Sequence, residues 1–330
     1  MTRRMPVPEM QYTALGASGV RVSVAGLGCG GFSRLGLGRG GSEADAIAVV
    51  REALELGVNF IDTAANYRTE GIVGEAIKPF PRDSVVVATK ATIRKAGALA
   101  PVEQIVESLE TSLRELQTDY IDVFQLHAVP PALYDRVMDE FVPTLLREKE
   151  KGKFRHLGTT ETAPNDPGHE MLARAVHDDC WEVMMLGHHM MHQGARKTVF
   201  PYTIKNRIGT LMMFVVRNIF SQKDYLRRTL SELAEAGDIP AELTAEEDPL
   251  GFLVHDGGAS SLTDAAYRYV RHEPGADVVL FGTGNPDHLA INIGSILKPP
   301  LPTADVERLK TLFGKLQGVG LDLPDRSQKR

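Results

Sequence analysis

Four polar side chains stand at or just beyond the ends of short apolar runs, and their types suit proton transfer. Asp62 closes Asn59-Phe60-Ile61-Asp62, and Tyr67 follows it in Thr63-Ala64-Ala65-Asn66-Tyr67. Lys90 closes Ser84-Val85-Val86-Val87-Ala88-Thr89-Lys90, and His127 closes Tyr120-Ile121-Asp122-Val123-Phe124-Gln125-Leu126-His127. A phenol, with an ordinary pKa of about 10, is a poor acid at neutral pH. An ammonium beside it favours the phenolate, and a carboxylate beside the ammonium keeps that charge in place. Tyr67 is therefore the candidate acid, Lys90 its modulator, Asp62 the partner of Lys90, and His127 a group that donates to or orients a substrate oxygen. The set suits protonation of a carbonyl oxygen while hydride reaches the carbon, and it calls for no metal. Each residue alone has a plainer reading, since strand-end Asp and Lys form rim ion pairs and a strand-end His is often structural. The combination carries the argument.

For residues on three successive strands to meet, the strands must lie side by side with their ends together. Short β-branched and aromatic runs bounded by turn residues read as buried strands of a parallel sheet, and in a barrel chemistry gathers at their C-terminal ends. The chain alternates accordingly. A β-hairpin over Tyr12–Val22, turning at Ser18-Gly19, precedes strand Val24–Gly28 and a helix at Glu43–Leu56. Asn59–Asp62 leads to Gly71–Lys78, Val85–Lys90 to Val102–Gln117, and Tyr120–His127 to Leu133–Glu150. Phe154–Thr160 leads to His169–His177, Glu182–Gly187 to Gly194–Asn206, and Gly209–Val216 to a longer excursion. Asp277–Phe281 and a helix at Asp287–Leu297 complete the pattern. Repeated strand–helix units of this length predict an α/β fold, a closed (β/α)₈ TIM barrel, as one domain over residues 1–330 with its core at 12–297. The excursion between strands seven and eight holds predicted helices at Gln222–Glu235 and Ser261–His272.

Bulk properties narrow the function. The chain has 330 residues, a net charge of −6 and 43% hydrophobic residues, which argues against nucleic acid as the main partner. Two cysteines, Cys29 and Cys180, form no disulfide framework and fit a reducing compartment. No apolar run approaches a membrane span, and Arg3-Arg4 lacks the apolar stretch of an export signal, so a cytoplasmic protein is expected. The Pro324–Arg330 tail is polar and expected to fray.

The chain resembles the aldo-keto reductases from about Tyr12 to Asn292. The matching stretches are Leu15-Gly16-Ala17-Ser18-Gly19, Gly57-Val58-Asn59-Phe60-Ile61-Asp62-Thr63-Ala64-Ala65-Asn66-Tyr67, Ala88-Thr89-Lys90, Thr118-Asp119-Tyr120-Ile121-Asp122 and Gln125-Leu126-His127. Gly152-Lys153-Phe154-Arg155-His156-Leu157-Gly158 and Gly282-Thr283-Gly284-Asn285 also match. The resemblance implies the barrel, NADPH or NADH as cofactor, a small carbonyl or alcohol substrate, and Asp62, Tyr67, Lys90 and His127 as the catalytic tetrad. It implies cofactor contacts from Gly28, Gly30, Asp62, Arg217, Gly282, Thr283, Gly284, Asn285, His288 and Asn292.

The chain also departs from the family pattern. Where the family places a Ser-Asn pair on the nicotinamide carboxamide, this chain has Thr160-Glu161, and an ionised Glu161 only accepts hydrogen bonds. A family Gln on strand six becomes Met185, and the ring stacked under the nicotinamide becomes Met213 or Phe214. A 2′-phosphate is normally held by Arg or Lys, yet Gly282 to Asn292 offers only His288. Backbone N–H groups at Gly284 and the following helix start can still hold phosphate, and Arg217 can reach a pyrophosphate. The family habit alone favours NADPH slightly over NADH.

Other features have plainer readings. Gly26-Leu27-Gly28-Cys29-Gly30-Gly31 is read as a flexible first loop rather than a dinucleotide fingerprint, because no acidic residue is placed for a ribose contact. Gly36-Leu37-Gly38-Arg39-Gly40-Gly41 is read as plain flexibility. His188, His189 and His192 invite a zinc reading, but adjacent strand residues do not share a face. Met184, Met185, Met212 and Met213 read as barrel packing, and so does Trp181. Two other functions compete with an NAD(P)H-dependent oxidoreductase. One is a cofactor-binding regulatory subunit with little turnover, and the other is a metal-dependent hydrolase built on the histidines.

Overall fold

The computed structural model describes residues 8–95 and 98–322. The Arg3-Arg4 pair and the Pro324–Arg330 tail lie outside them. Two short strands, β1 (Tyr12–Ala14) and β2 (Arg21–Ser23), form an antiparallel hairpin with Thr13 opposite Val22. The barrel strands follow: β3 (Ala25–Gly28), β4 (Phe60–Asp62) and β5 (Val86–Thr92). A small antiparallel ribbon, β6 (Arg94–Lys95) with β7 (Ala98–Leu99), comes next. The remaining barrel strands are β8 (Ile121–His127), β9 (Phe154–Thr160), β10 (Val183–Gly187), β11 (Gly209–Met213) and β12 (Val278–Phe281). The eight barrel strands close in chain order, with β12 pairing back to β3, and all eight pairings are parallel. This is the expected (β/α)₈ barrel with its N-terminal hairpin.

Two apolar layers hold it. Inside the barrel, Phe60, Val86, Ala88, Val123, Val183, Met185, Leu211 and Val278 pack together, with Leu15 and Val22 of the hairpin segment joining them. Leu15 would collide with any side chain at Gly209, so the hairpin segment packs against the start of β11. Outside, the strands' other faces meet the helices. Helix Val102–Leu116 shows how: Ile105, Leu109, Ser112 and Leu116 recur at helical spacing and are buried. Each large aliphatic so buried contributes about 1.5–3 kcal/mol. Ser42 starts helix Glu43–Glu55 with a capping box, its Oγ accepting from the Asp45 amide at 3.2 Å.

Proline explains where the structure departs from the expected elements. The helix expected over Leu133–Glu150 is two, Tyr134–Glu140 and Val142–Glu150, because Pro143 lacks an N–H and its ring crowds the carbonyl one turn back. Pro201 splits the helix expected over Gly194–Asn206 into Ala195–Thr198 and Phe200–Asn206 in the same way. The long excursion after β11 carries Lys223–Glu235 and Leu262–Arg271, plus short turns at Asn218–Ser221 and Glu242–Ala245. A helix at Thr303–Phe313 was not anticipated, although Leu309 and Phe313, both buried, sit four residues apart after Pro302. Among the described residues no helix is long and apolar enough to cross a membrane.

Candidate active site

The strand ends bring the four candidates together. Lys90, fully buried, points its Nζ at both Asp62 oxygens and at the Thr63 carbonyl, each at 2.8 Å. Asp62 is 4% exposed, so neither partner of this ion pair is solvated. Tyr67 ends a 3₁₀ turn, Ala65–Tyr67, that carries its ring back over the strand ends. The Tyr67 ring centre is 5.0 Å from Lys90 Nζ and 5.7 Å from the His127 ring, which meets it edge-on at 84°. His127 ends β8 and is half-buried.

Local chemistry fixes Tyr67. A Cβ at Gly30 would stand 2.5 Å from the ring, so only glycine lets the first loop lie against it. Arg34, from the same loop, donates its Nε to the Tyr67 carbonyl at 3.0 Å. The backbone there is left-handed at two successive non-glycine residues, Arg34 (φ 45°) and Leu35 (φ 58°), a strain that concentrates at functional sites. Thr69 Oγ1 lies 2.8 Å from Thr63 Oγ1 and donates to the Cys29 carbonyl, tying β3 and β4 together under the site. Arg34, Thr63 and Thr69 were missed from the sequence. No spacing rule announces a donor to a backbone carbonyl.

Burial opposes charge on Lys90, but the facing Asp62 outweighs it and holds the ammonium above its ordinary pKa. For Tyr67 the balance goes the other way from the sequence reading. Burial pushes the phenol up, Lys90 pulls it down, and the net direction is upward. Lys90 limits the rise rather than reversing it, because its charge is already shared with Asp62.

The residues at the ends of β9 to β11 line the other part of the rim. Thr160 accepts from the Ala128 amide at 2.7 Å. Met185 faces the barrel interior, while Met213 is half-buried. Phe214 takes φ 63° and lays its ring on Arg217, with the guanidinium carbon 4.4 Å from the ring centre. Glu161 is wholly inside: one oxygen accepts from the Gly187 amide at 2.7 Å and the other lies 2.7 Å from His169 Nδ1. Its partner His169 is a further residue the sequence reading missed.

The first loop reaches the last one. A Cβ at Gly284 would overlap the Gly36 backbone at 2.2 Å, so the stretch read as plain flexibility is a docking contact. Thr283 Oγ1 accepts from the Asn285 amide, and Asn285 caps helix Pro286–Ile296 through the Asp287 amide at 3.0 Å. His288 is exposed and Asn292 half-buried, one turn apart on that helix.

The histidines cluster in the interior next to Glu161. His169, His188, His189 and His192 are all fully buried, with His192 ring-to-ring with His169 at 4.8 Å and His189 at 5.8 Å. Among the described residues no group of three or more His, Cys, Asp or Glu is arranged to hold a metal. Burial, with the neighbouring His169 charge, pulls His192 down to about 3, and burial also lowers His188 and His189. Burial opposes charge on His169 too, but Glu161 outweighs it and raises that imidazole. Three imidazoles whose folded pKa lies below the unfolded value contribute stability that is complete above about pH 6.5 and lost as pH falls below it. Raised His169 acts oppositely and is outnumbered. Urea unfolding is expected to lose about 2 kcal/mol between pH 7 and pH 5 from His192 alone, and a His192→Asn variant should show a shallower slope. An equal slope in both proteins would contradict this.

With this geometry in hand, known proteins place the chain. The model of the aldo/keto reductase family matches residues 26–313. The chain belongs to that family. Aldo-keto reductase YhdN of Bacillus subtilis is 28% identical over 300 residues, covering 85% of this chain and 87% of that protein. L-galactose dehydrogenase of Arabidopsis thaliana is 32% identical over 209 residues, but the match covers only 64% of the plant protein. The holo form of aldo-keto reductase AKR11C1 from Bacillus halodurans superposes with a TM-score of 0.70 at 24% identity, covering 92% of this chain and 96% of that one. A Klebsiella pneumoniae aldo/keto reductase solved with NADP and acetate shares the fold at a TM-score of 0.65 and 21% identity, over 91% and 95% of the two chains.

Proposed function

We propose that this aldo-keto reductase reduces a small aldehyde or ketone, or oxidises the corresponding alcohol, with NADPH or NADH. The observation that carries the reading is the buried Lys90–Asp62 pair beneath a phenol held against Gly30. A nicotinamide cofactor supplies or accepts the hydride when bound.

The chain's residues fit such a cofactor. Gly28, at the end of β3 opposite Asp62, and Gly282 carry no side chain at the strand ends and lie together there, a Cβ at Gly282 falling 3.3 Å from the Gly28 carbonyl oxygen. Arg217 has buried nitrogens, Nε and Nη2, with no hydrogen bond among the described residues, and a pyrophosphate is the kind of anion that would use them. The capped start of helix Pro286–Ile296 offers backbone N–H groups, with His288 and Asn292 alongside. Thr160, Met185, Met213 and Phe214 line the part of the rim where the nicotinamide would lie, and Glu161 supports that wall from inside.

In reduction, Tyr67 delivers its proton to the carbonyl oxygen, and Lys90 stabilises the phenolate that remains. Asp62 keeps Lys90 charged while it does so. His127, edge-on to the Tyr67 ring, orients the oxygen. In oxidation the same phenolate takes the proton back.

A calorimetric titration with NADPH and, in parallel, NADH is expected to show micromolar or tighter binding of one or both, followed by turnover in a carbonyl screen. No binding of either dinucleotide would remove the reading. The Glu161–His169 pairing favours a second one, because both carboxylate oxygens are engaged within the protein and offer the carboxamide nothing. Tight binding with negligible turnover across aldehydes, ketones and sugars would select that alternative, a cofactor-binding regulatory subunit.

A further inference from the structure

Arg217 is incompletely partnered for a buried cation. Its guanidinium lies against rings from two loops, Phe214 at 4.4 Å and Phe32 at 5.1 Å. The side chain is 12% exposed, and its carboxylate neighbour Asp322 is 3.7 Å from Nη2, too far for a hydrogen bond. Among the described residues Arg217 Nε and Nη2 and Asp322 Oδ1 make no hydrogen bond at all. Underpaired buried charges are costly, so this contact is retained at the expense of stability. Phe214 adds to that cost, since an aromatic residue in left-handed backbone is an outlier of the kind found at ligand clamps.

Asp322 arrives on a segment that crosses the loops after β9, β10 and β11. A Cβ at Gly318 would meet Pro167 at 3.2 Å, and the Gly318 amide donates to His192 Nδ1 at 3.2 Å. Leu321 is 3% exposed and packs towards Gly187, and Asn218 Nδ2 donates to Asp322 Oδ2 at 3.0 Å. These contacts bring the carboxylate to Arg217 on a segment anchored mainly elsewhere.

We propose that Asp322 is a built-in counter-anion of Arg217, which the pyrophosphate of the dinucleotide must displace, so that Asp322 sets the cofactor affinity. This rests on the cofactor reading above and concerns the same site. A pyrophosphate presents several oxygens to a guanidinium fork and satisfies Nε and Nη2 together, which Asp322 does not. A carboxylate tethered nearby competes at high effective concentration, so its removal acts on affinity without any new contact.

The test is a fluorescence titration of the full chain with NADPH, in the wild type, Asp322→Asn, Arg217→Gln and the double variant. Asp322→Asn is expected to tighten binding about tenfold, within the usual range of coupling between sites. Inorganic pyrophosphate should compete with NADPH more strongly in that variant than in the wild type. Arg217→Gln should weaken binding, and in its background Asp322→Asn should have no effect. Unchanged or weaker binding in Asp322→Asn, beside a wild type that binds, overturns the proposal and leaves the cofactor reading standing. The same tightening in the Arg217→Gln background overturns it as well. Failure of all four proteins to bind any dinucleotide removes the cofactor reading and the proposal with it.

Discussion

Tyr67→Phe is expected to lower turnover about 10²–10⁴-fold, the range for a positioned proton donor, while cofactor affinity stays within about twofold. The hydroxyl is lost, but the ring that packs on Gly30 and faces His127 remains, so the site keeps its shape. The pH dependence follows from the same residue. Because the phenol is held above its ordinary pKa, it stays protonated across the neutral range, and reduction should keep its rate to about pH 9. Oxidation needs the phenolate and should rise with pH over that interval. Stopped-flow turnover in both directions, with cofactor titration of each protein, checks both statements. Full turnover in the Phe variant would remove Tyr67 from the mechanism.

The clustering of Asp62, Tyr67, Lys90 and His127 was legible because its logic is one-dimensional. Each member sits at or near the end of a run whose β-branched residues mark it as a buried strand, and parallel strands in chain order put those ends together. What could not be read depends on loops. Gly30 and Gly36 sit in one glycine-rich stretch, yet one packs on Tyr67 and the other on Gly284, which is set by the path of the loop. His169 pairs with Glu161 across eight residues, and Asp322 reaches Arg217 across more than a hundred. Neither distance follows a repeat. The helix at Thr303–Phe313 carries its own signal in Leu309 and Phe313, one turn apart, but lies beyond the strand–helix alternation, which closes at residue 297.

Lys90 separates the roles that sequence and fold give to one ion pair. Lys90→Met removes the cation from beneath Tyr67 and leaves Asp62, 4% exposed, with no countercharge. Breaking a buried pair from one side costs about 3–5 kcal/mol, because the surviving charge stays desolvated. At this chain length that is a fall in melting temperature of roughly 4–7 °C. The Asp62 carboxyl then titrates with a raised pKa, so the deficit relative to the wild type should shrink as pH falls and the carboxyl becomes neutral. Adding Asp62→Asn should recover much of the lost stability, since no buried charge remains. It should not recover turnover, because the phenolate of Tyr67 still lacks its stabilising cation. Calorimetric melts and turnover of the two single variants and the double variant decide the matter. A double variant as unstable as Lys90→Met would mean that packing of the lysine stem, and not its charge, holds this end of the barrel. Turnover restored together with stability would mean that the pair acts only as a strut.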